Sequence, residues 1–190
     1  MRCGRGPGRG DSEVRQVPPR AVGNGAGVNG HPDYPAAMLW EFVRRSYLAA
    51  DGLWFLRCEE ELGYGEALRL DELVWRTMPR LQARRARELL GLDGNGLEPL
   101  LQALGLKLTA EGHRFRSSLT DGELCIEVTE CPWLEAIRRS GRDAIAGDIC
   151  GRICEPEMAL WAEQFGCAGC VFTSRLSEGA PCCRLVFRSG

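Results

Sequence analysis

From Pro35 onward the apolar positions recur at helical spacing, and near residue 113 that spacing changes to two. Leu39, Phe42, Val43, Tyr47, Trp54, Phe55, Cys58 and Leu62 form the first series. With Pro35 suited to a first turn, they predict one long helix, or two meeting near Asp51-Gly52. A second helical stretch runs from Gly65 toward Leu90 through Leu70, Leu73, Val74, Met78 and Leu81. Pro79 removes a backbone donor there and predicts a kink or a break. Gly91, Gly94 and Gly96 end that stretch, and a short helix over 97–104 follows.

The alternating part begins with two strands, 113–119 and 124–129, around Thr120-Asp121-Gly122-Glu123, a strong signal for a tight hairpin turn. Leu124, Ile126 and Val128 share one face of the second strand, which turns Cys125 away from the aliphatic layer. A short amphipathic helix follows Cys131-Pro132-Trp133 and ends at Ser140-Gly141. Another helix contains Ile149, Ile153, Met158, Trp161 and Phe165 and stops at Gly166. The runs 171–175 and 185–188 make a second hairpin across a loop with Ser177, Glu178, Gly179 and Pro181. The expected fold class is α+β: a four-stranded, mostly antiparallel sheet backed by helices, with an N-terminal helical region packed on it.

Composition divides the chain further. Residues 1–34 are rich in Gly, Arg and Pro and have no periodicity, so they read as a disordered tail. Residues 35–104 are the helical region, and 105–190 the cysteine-rich α+β region of the same folded domain. The tail holds Arg9-Gly10-Asp11, an integrin-recognition tripeptide that an Arg/Gly-rich segment produces by chance. The same composition admits a native start further along, near Met38. No apolar run resembles an export signal or a membrane span, so the expected compartment is the cytoplasm, with no membrane partner. With 24 Lys and Arg against 26 Asp and Glu there is no broad basic surface, which argues against nucleic acid.

Cysteine changes the picture most. Of ten cysteines, eight fall between Cys125 and Cys183. In a reducing compartment that abundance favours a metal site or reactive thiols over a disulfide framework, against the plain alternative of small buried hydrophobes. Cys150 and Cys154 are four apart, hence on one side of a helix. Cys167 and Cys170 have the C-x-x-C step of a zinc knuckle or a redox pair. Cys131 and Cys183 stand where the chain leaves and re-enters the sheet. The expected metal ligands are Cys131, Cys150, Cys154 and Cys183, with Cys167, Cys170 and Glu178 as second choices. Zinc is the first metal and an iron–sulfur cluster the variant, since both accept all-sulfur coordination.

Histidine is scarce. His31 lies in the tail and His113 in an expected strand, so a histidine-based catalytic triad is hard to build. Any chemistry would fall to a cysteine nucleophile, with Cys131 and Cys154 the candidates, or to metal-bound water. Trp133, Trp161 and Phe172 are the candidates to line an apolar pocket, although most aromatics fill cores. The basic run Arg80, Arg84, Arg85 and Arg87 with Glu88 reads as a solvated helix face.

The stretches Cys131-Pro132-Trp133 through Gly141, Ile149-Cys150-Gly151-Arg152-Ile153-Cys154, and Glu178 through Phe187 resemble a group of small prokaryotic cysteine-containing proteins. That group is related to the 4-vinyl reductase domain and to L-2-amino-thiazoline-4-carboxylic acid hydrolase-like proteins. The Asp51-Gly52-Leu53-Trp54-Phe55 stretch is similar to its N-terminal helix, and the likeness runs from about Ala36 to Phe187. The resemblance implies an α/β sandwich like that of nitric-oxide-signalling and TRAPP trafficking domains. It also implies a zinc site near an apolar effector pocket, with Cys183 matching the final cysteine, Cys131 and Cys154 the earlier ones, and Glu178 standing in for an acidic ligand. The function so expected is a cytosolic metal- and small-molecule-binding domain, with a small apolar or heterocyclic partner and a homodimer compatible with it. The alternative is a hydrolase opening a small cyclic amide or thiazoline.

Overall fold

The computed structural model describes residues 32–190. The chain divides into two compact units, Met1–Ala36 and Ala37–Gly190. The tail expected over 1–34, its Arg-Gly-Asp tripeptide and His31 lie outside the described residues, apart from the last three positions of the tail.

Helix α1 runs unbroken over Ala36–Leu62, so Asp51-Gly52 sits inside one helix. Its apolar stripe is wider than the core it meets: Phe55 and Cys58 are buried, while Phe42, Val43 and Trp54 stay exposed. Helix α2, Tyr64–Trp75, ends at Arg76-Thr77, and α3, Met78–Leu90, starts with Pro79 in its first turn. Pro79 thus opens a helix, where its missing N–H costs nothing. Gly91 closes α3 with φ 61°, a left-handed conformation that leaves its N–H bonded to the Arg87 carbonyl. Helix α4, Leu97–Glu111, is a full two turns longer than expected from sequence and also ends on a left-handed glycine, Gly112. It continues through Gly105 and Lys107 because Lys107 is paired inside the protein, as described below.

Strands β1, Arg114–Leu119, and β2, Glu123–Glu130, form the expected hairpin. Helix α5, Pro132–Arg139, follows at once. A 3-10 turn, Asp143–Ile145, leads to the one-turn helix α6, Ala146–Ile149, then to a π-helical turn, Cys150–Cys154, and to α7, Glu155–Gln164. Strands β3, Cys167–Ser174, and β4, Cys183–Ser189, complete an antiparallel sheet of order β1-β2-β4-β3. The architecture is α+β, a four-stranded antiparallel sheet with helices on it.

The period of two decides which sheet face is covered. Leu124 pairs with Phe187 and Ile126 with Leu185, and all four point into a core shared with Leu100, Leu104, Trp161 and Phe165. Each such side chain removed from water contributes roughly 1.5–3 kcal/mol, so this layer fixes the register. On the opposite face Glu127 pairs with Arg116 and with Arg184, 3.1 Å away, as cross-strand charges on a wet surface should. Cys125 is on that face too, opposite Val186, but is buried. Arg87 departs from the expected solvated face: its guanidinium lies 4.0 Å over the Phe165 ring and donates to the Gln164 carbonyl at 2.8 Å, tying α3 to α7. A second, smaller core joins Phe55, Ala67, Leu68, Trp75 and Ile153.

Candidate functional site

Cys131 follows β2, Cys183 opens β4 beside Val128, and Cys150 and Cys154 lie in the π-helical turn, close enough for the charge on one sulfur to act on others. In a π-helical turn the extra residue widens the coil, so residues four apart stand nearly above one another. Cys150 and Cys154 occupy the two ends of this turn. Cys154 hydrogen-bonds to Cys150, and with Ser177 and the positive charge of Arg175 this holds the Cys150 thiol down at about 6, against the pull of its burial. The Ser177 hydroxyl is buried and completes no hydrogen bond of good geometry among the described residues, which leaves it free to turn toward the sulfur. Cys154, deeper, is pushed well above the ordinary thiol value by giving its proton to Cys150 and by burial. The two thiols are therefore coupled, with the first proton to leave belonging to the pair and the second held more tightly.

Cys131 and Cys183 complete the neighbourhood. Burial pushes Cys131 up to about 12, although it caps α5 and the Leu134 and Trp133 backbone N–H groups oppose the shift; Cys150 adds to it. Cys183 is also raised by burial, against an N–H of Leu176 donating to its sulfur at 3.3 Å. The expected nucleophiles, Cys131 and Cys154, thus hold their protons more tightly than a free cysteine does. Of the four, Cys150 is the thiol that its surroundings lower.

The second-choice residues lie apart from these four in character. Cys167 and Cys170 sit within β3, packed on the main core, with their thiols raised by burial, Cys170 to about 12. Glu178 is exposed and pairs with Arg175 at 3.5 Å. Arg175 in turn also binds Glu155 and lies over the Phe172 ring. Among the described residues no three or more His, Cys, Asp or Glu side chains are gathered as a group that could hold a metal ion. The four sulfurs are neighbours without forming a coordination shell.

Beside Cys154 lies a cavity of about 430 Å³. Its walls come from α1, α2, α5 and the α6–π segment, and they are apolar: Leu48, Phe55, Trp75, Trp133, Ile149 and Ile153. Cys154 and Glu157 reach its wall from the π turn and α7. Asp51 and Asp71 reach it from α1 and α2. Burial raises Asp51 to about 6 and Asp71 to about 7; the Trp75 indole opposes both shifts, and the charge of Asp51 adds to that on Asp71. Both carboxyls therefore hold their protons to a higher pH than a free aspartate does. Of the aromatic candidates, Trp133 lines this cavity, Trp161 lines a different cleft, and Phe172 lines neither.

Behind Trp133 is a buried charge cluster that sequence reading did not find. Lys107 lies 2.7 Å from Glu111 and 3.0 Å from Glu157, and all three side chains are less than a tenth exposed. Burial alone would lower the Lys107 ammonium, but the two carboxylates outweigh it and hold it above its ordinary value. Burial raises Glu157 in spite of Lys107. Glu111 also accepts from the Trp133 indole at 3.4 Å. His113 stands just before β1, not in it, and burial pushes it down to about 4, so it is neutral. The available signal was Lys107 and Glu111 at i, i+4 on an otherwise apolar helix.

Residues 36–165 match the profile of a family of unknown function, DUF6125. The chain belongs to the DUF6125 family. Cys131, Cys150, Cys154 and the lining of the large cavity fall inside the matched span, and β3, Arg175, Ser177 and Cys183 fall beyond it. A search of the curated proteins and a search of the solved structures return no match. The family's description names neither 4-vinyl reductase nor a thiazoline hydrolase. No helix among the described residues is long and apolar enough to cross a membrane.

Proposed function

We propose that the domain binds a small apolar or heterocyclic molecule in the larger cavity and sets the Cys150–Cys154 pair beside it. The observation that carries this reading is the composition of the wall: hydrocarbon and indole surface interrupted by Asp51, Asp71 and Cys154, groups able to give or accept a proton. Ligand pockets have this make-up, with apolar area for affinity and few polar groups for orientation. Gly52 lines the cavity, and a Cβ placed on it meets nothing within 4 Å, so Gly52→Phe fills the space without disturbing α1. Native mass spectrometry of the purified chain should show a bound small molecule that Gly52→Phe lacks. A folded protein with no ligand in either form, and no uptake of a hydrophobic dye that the variant blocks, would overturn it.

Zinc or an iron–sulfur cluster on Cys131, Cys150, Cys154 and Cys183 belongs to the same proposal as a further occupant, supported by the proximity of these four thiols. Holding a metal there requires the sulfurs to draw together. Elemental analysis of anaerobically purified protein tests it, since metal-free folded protein removes the metal from the proposal.

One feature favours a second reading, hydrolysis of a small cyclic amide or thiazoline: Cys154, Ser177 and Arg175 surround the Cys150 thiol and lower it, as a cysteine nucleophile requires. Turnover of 2-aminothiazoline-4-carboxylate that disappears in Cys150→Ser would support it, and background turnover by the parent chain would dismiss it.

A further inference from the structure

On the other side of the Lys107 cluster, α1, α3, α4 and α7 enclose a separate cleft of about 360 Å³. Trp40, Val43, Ala86, Leu89 and Leu106 give it apolar walls. Its polar groups are the unusual part. The Tyr47 hydroxyl, Gln82 Oε1, Glu111 Oε1 and Trp161 Nε1 are all buried, all belong to residues lining this cleft, and none has a hydrogen-bond partner among the described residues. Trp161 is 0% and Glu111 5% exposed, so bulk water does not satisfy them. Buried polar atoms are nearly always paired, and several orphans on one cleft mark a missing partner.

The chemistry of the orphans describes that partner. Glu111 and Gln82 present acceptors, Tyr47 serves either way, and the Trp161 indole only donates. Charge points the same way. Lys107 is the one buried cation beside two carboxylates, Glu111 and Glu157, and His113 is neutral. The cationic residues lining the outer part are already engaged, Arg44 with Glu41 and Arg85 with Glu88. The deep end is thus rich in acceptors, with Glu111 sharing the one ammonium with Glu157, whereas the walls suit a hydrocarbon or aromatic body.

We propose that this cleft binds a small organic cation, an aryl- or alkyl-amine that also carries one hydrogen-bond acceptor. Its ammonium sits on Glu111 Oε1, with Gln82 and Tyr47 as further partners, and its acceptor takes the Trp161 N–H. Its apolar body lies against Trp40, Val43 and Leu89. This site is distinct from the larger cavity: the two share no lining residue, and the Lys107–Glu157 contact stands between them.

The test uses the full chain and calorimetric titration with three probes that share a phenyl body. L-Phenylalaninamide offers an ammonium and a carbonyl, N-acetyl-L-phenylalaninamide is its neutral counterpart, and 3-phenylpropionate reverses the charge. The amine should bind saturably, and the other two more weakly by about tenfold or more. Glu111→Gln should erase that preference, and Trp161→Phe should weaken the amine with the preference kept. Should either core variant fail to fold, Val43→Trp serves instead, because Val43 is 64% exposed at the cleft's rim and the change obstructs it from outside the core. Loss of amine binding in Val43→Trp supports the site. Absence of saturable amine binding by the parent chain, equal binding of the three probes, or unchanged binding in Val43→Trp overturns it, and the cleft then holds solvent only.

Discussion

Lys107 Nζ lies 3.0 Å from Glu157 Oε1, a contact from α4 to α7 made wholly inside the protein. The distance is that of an ion pair, but the angle leaves Glu157 Oε1 without a formed hydrogen bond. Lys107 lines the smaller cleft and Glu157 the larger cavity, so this pair is the partition between them. Removing Lys107 alone strands two carboxylates in a dry interior. Lys107→Met should cost about 3–5 kcal/mol in denaturant unfolding, and replacing Glu111 and Glu157 by apolar residues of similar volume in the same chain should recover most of it. A loss below about 1 kcal/mol for the single change would show the carboxylates to be already neutral or hydrated.

Cys150 should react first with iodoacetamide among the cysteines, with a rate that rises through about pH 6. Cys154→Ala removes the hydrogen bond that holds the thiolate, and the rate at pH 7 should fall by roughly tenfold. Peptide mapping after partial alkylation identifies the modified residue. Equal labelling of Cys131 and Cys150 would refute the assignment.

Asp51 and Asp71 give stability an acid preference. Their folded values, about 6 and about 7, lie above the roughly 3.9 of an unfolded Asp, so the folded state holds the extra protons. Their contribution is complete below about pH 4 and is lost as pH rises through 6 and 7. Asp71→Asn should remove part of this slope and stabilise the chain at pH 8 relative to the parent, by about 1–2 kcal/mol after allowing for screening at a cavity wall. Thermal unfolding at pH 5 and pH 8 measures it, and parallel pH profiles for the two proteins would contradict it.

Gly52 lies in the interior of α1 with nothing within 4 Å of the site of its missing Cβ. Gly52→Ala should therefore stabilise the domain by about 0.5–1 kcal/mol, chiefly by restricting the unfolded chain. A lowered Tm would mean that this turn of α1 needs glycine for a reason beyond helix geometry.

Much of the fold was readable in the sequence because its signals are local. The Asp121-Gly122 turn, the alternation of Leu124, Ile126 and Val128, and the glycines that follow α3, α5 and α7 report on their own neighbourhoods. The sheet and its one covered face follow from them. What local reading lost were features made by distant pairing. Lys107 was left beyond the expected helix because its second carboxylate, Glu157, comes from α7, fifty residues further along. The π turn at Cys150–Cys154 was invisible, since a one-residue expansion of a helix leaves apolar spacing almost unchanged. The placement of Cys131 and Cys183 at element ends and of Cys150 and Cys154 one turn apart was legible from their spacing. The lowering of the Cys150 thiol was not, because beside Cys154 it involves Ser177 and Arg175 from a loop more than twenty residues further on.

That loop belongs to the final hairpin, whose strand β4 lies between β2 and β3 and is hydrogen-bonded to both. A shortened chain stopping at Phe165 would retain every helix but strip β2 of its inner neighbour, leaving a two-stranded ribbon with an open flank. Its Cys150 would keep Cys154 beside it but lose the hydroxyl and the guanidinium together, and with them part of what lowers the thiol. The full acidity of that sulfur therefore needs the C-terminal strands docked against the turn that carries it.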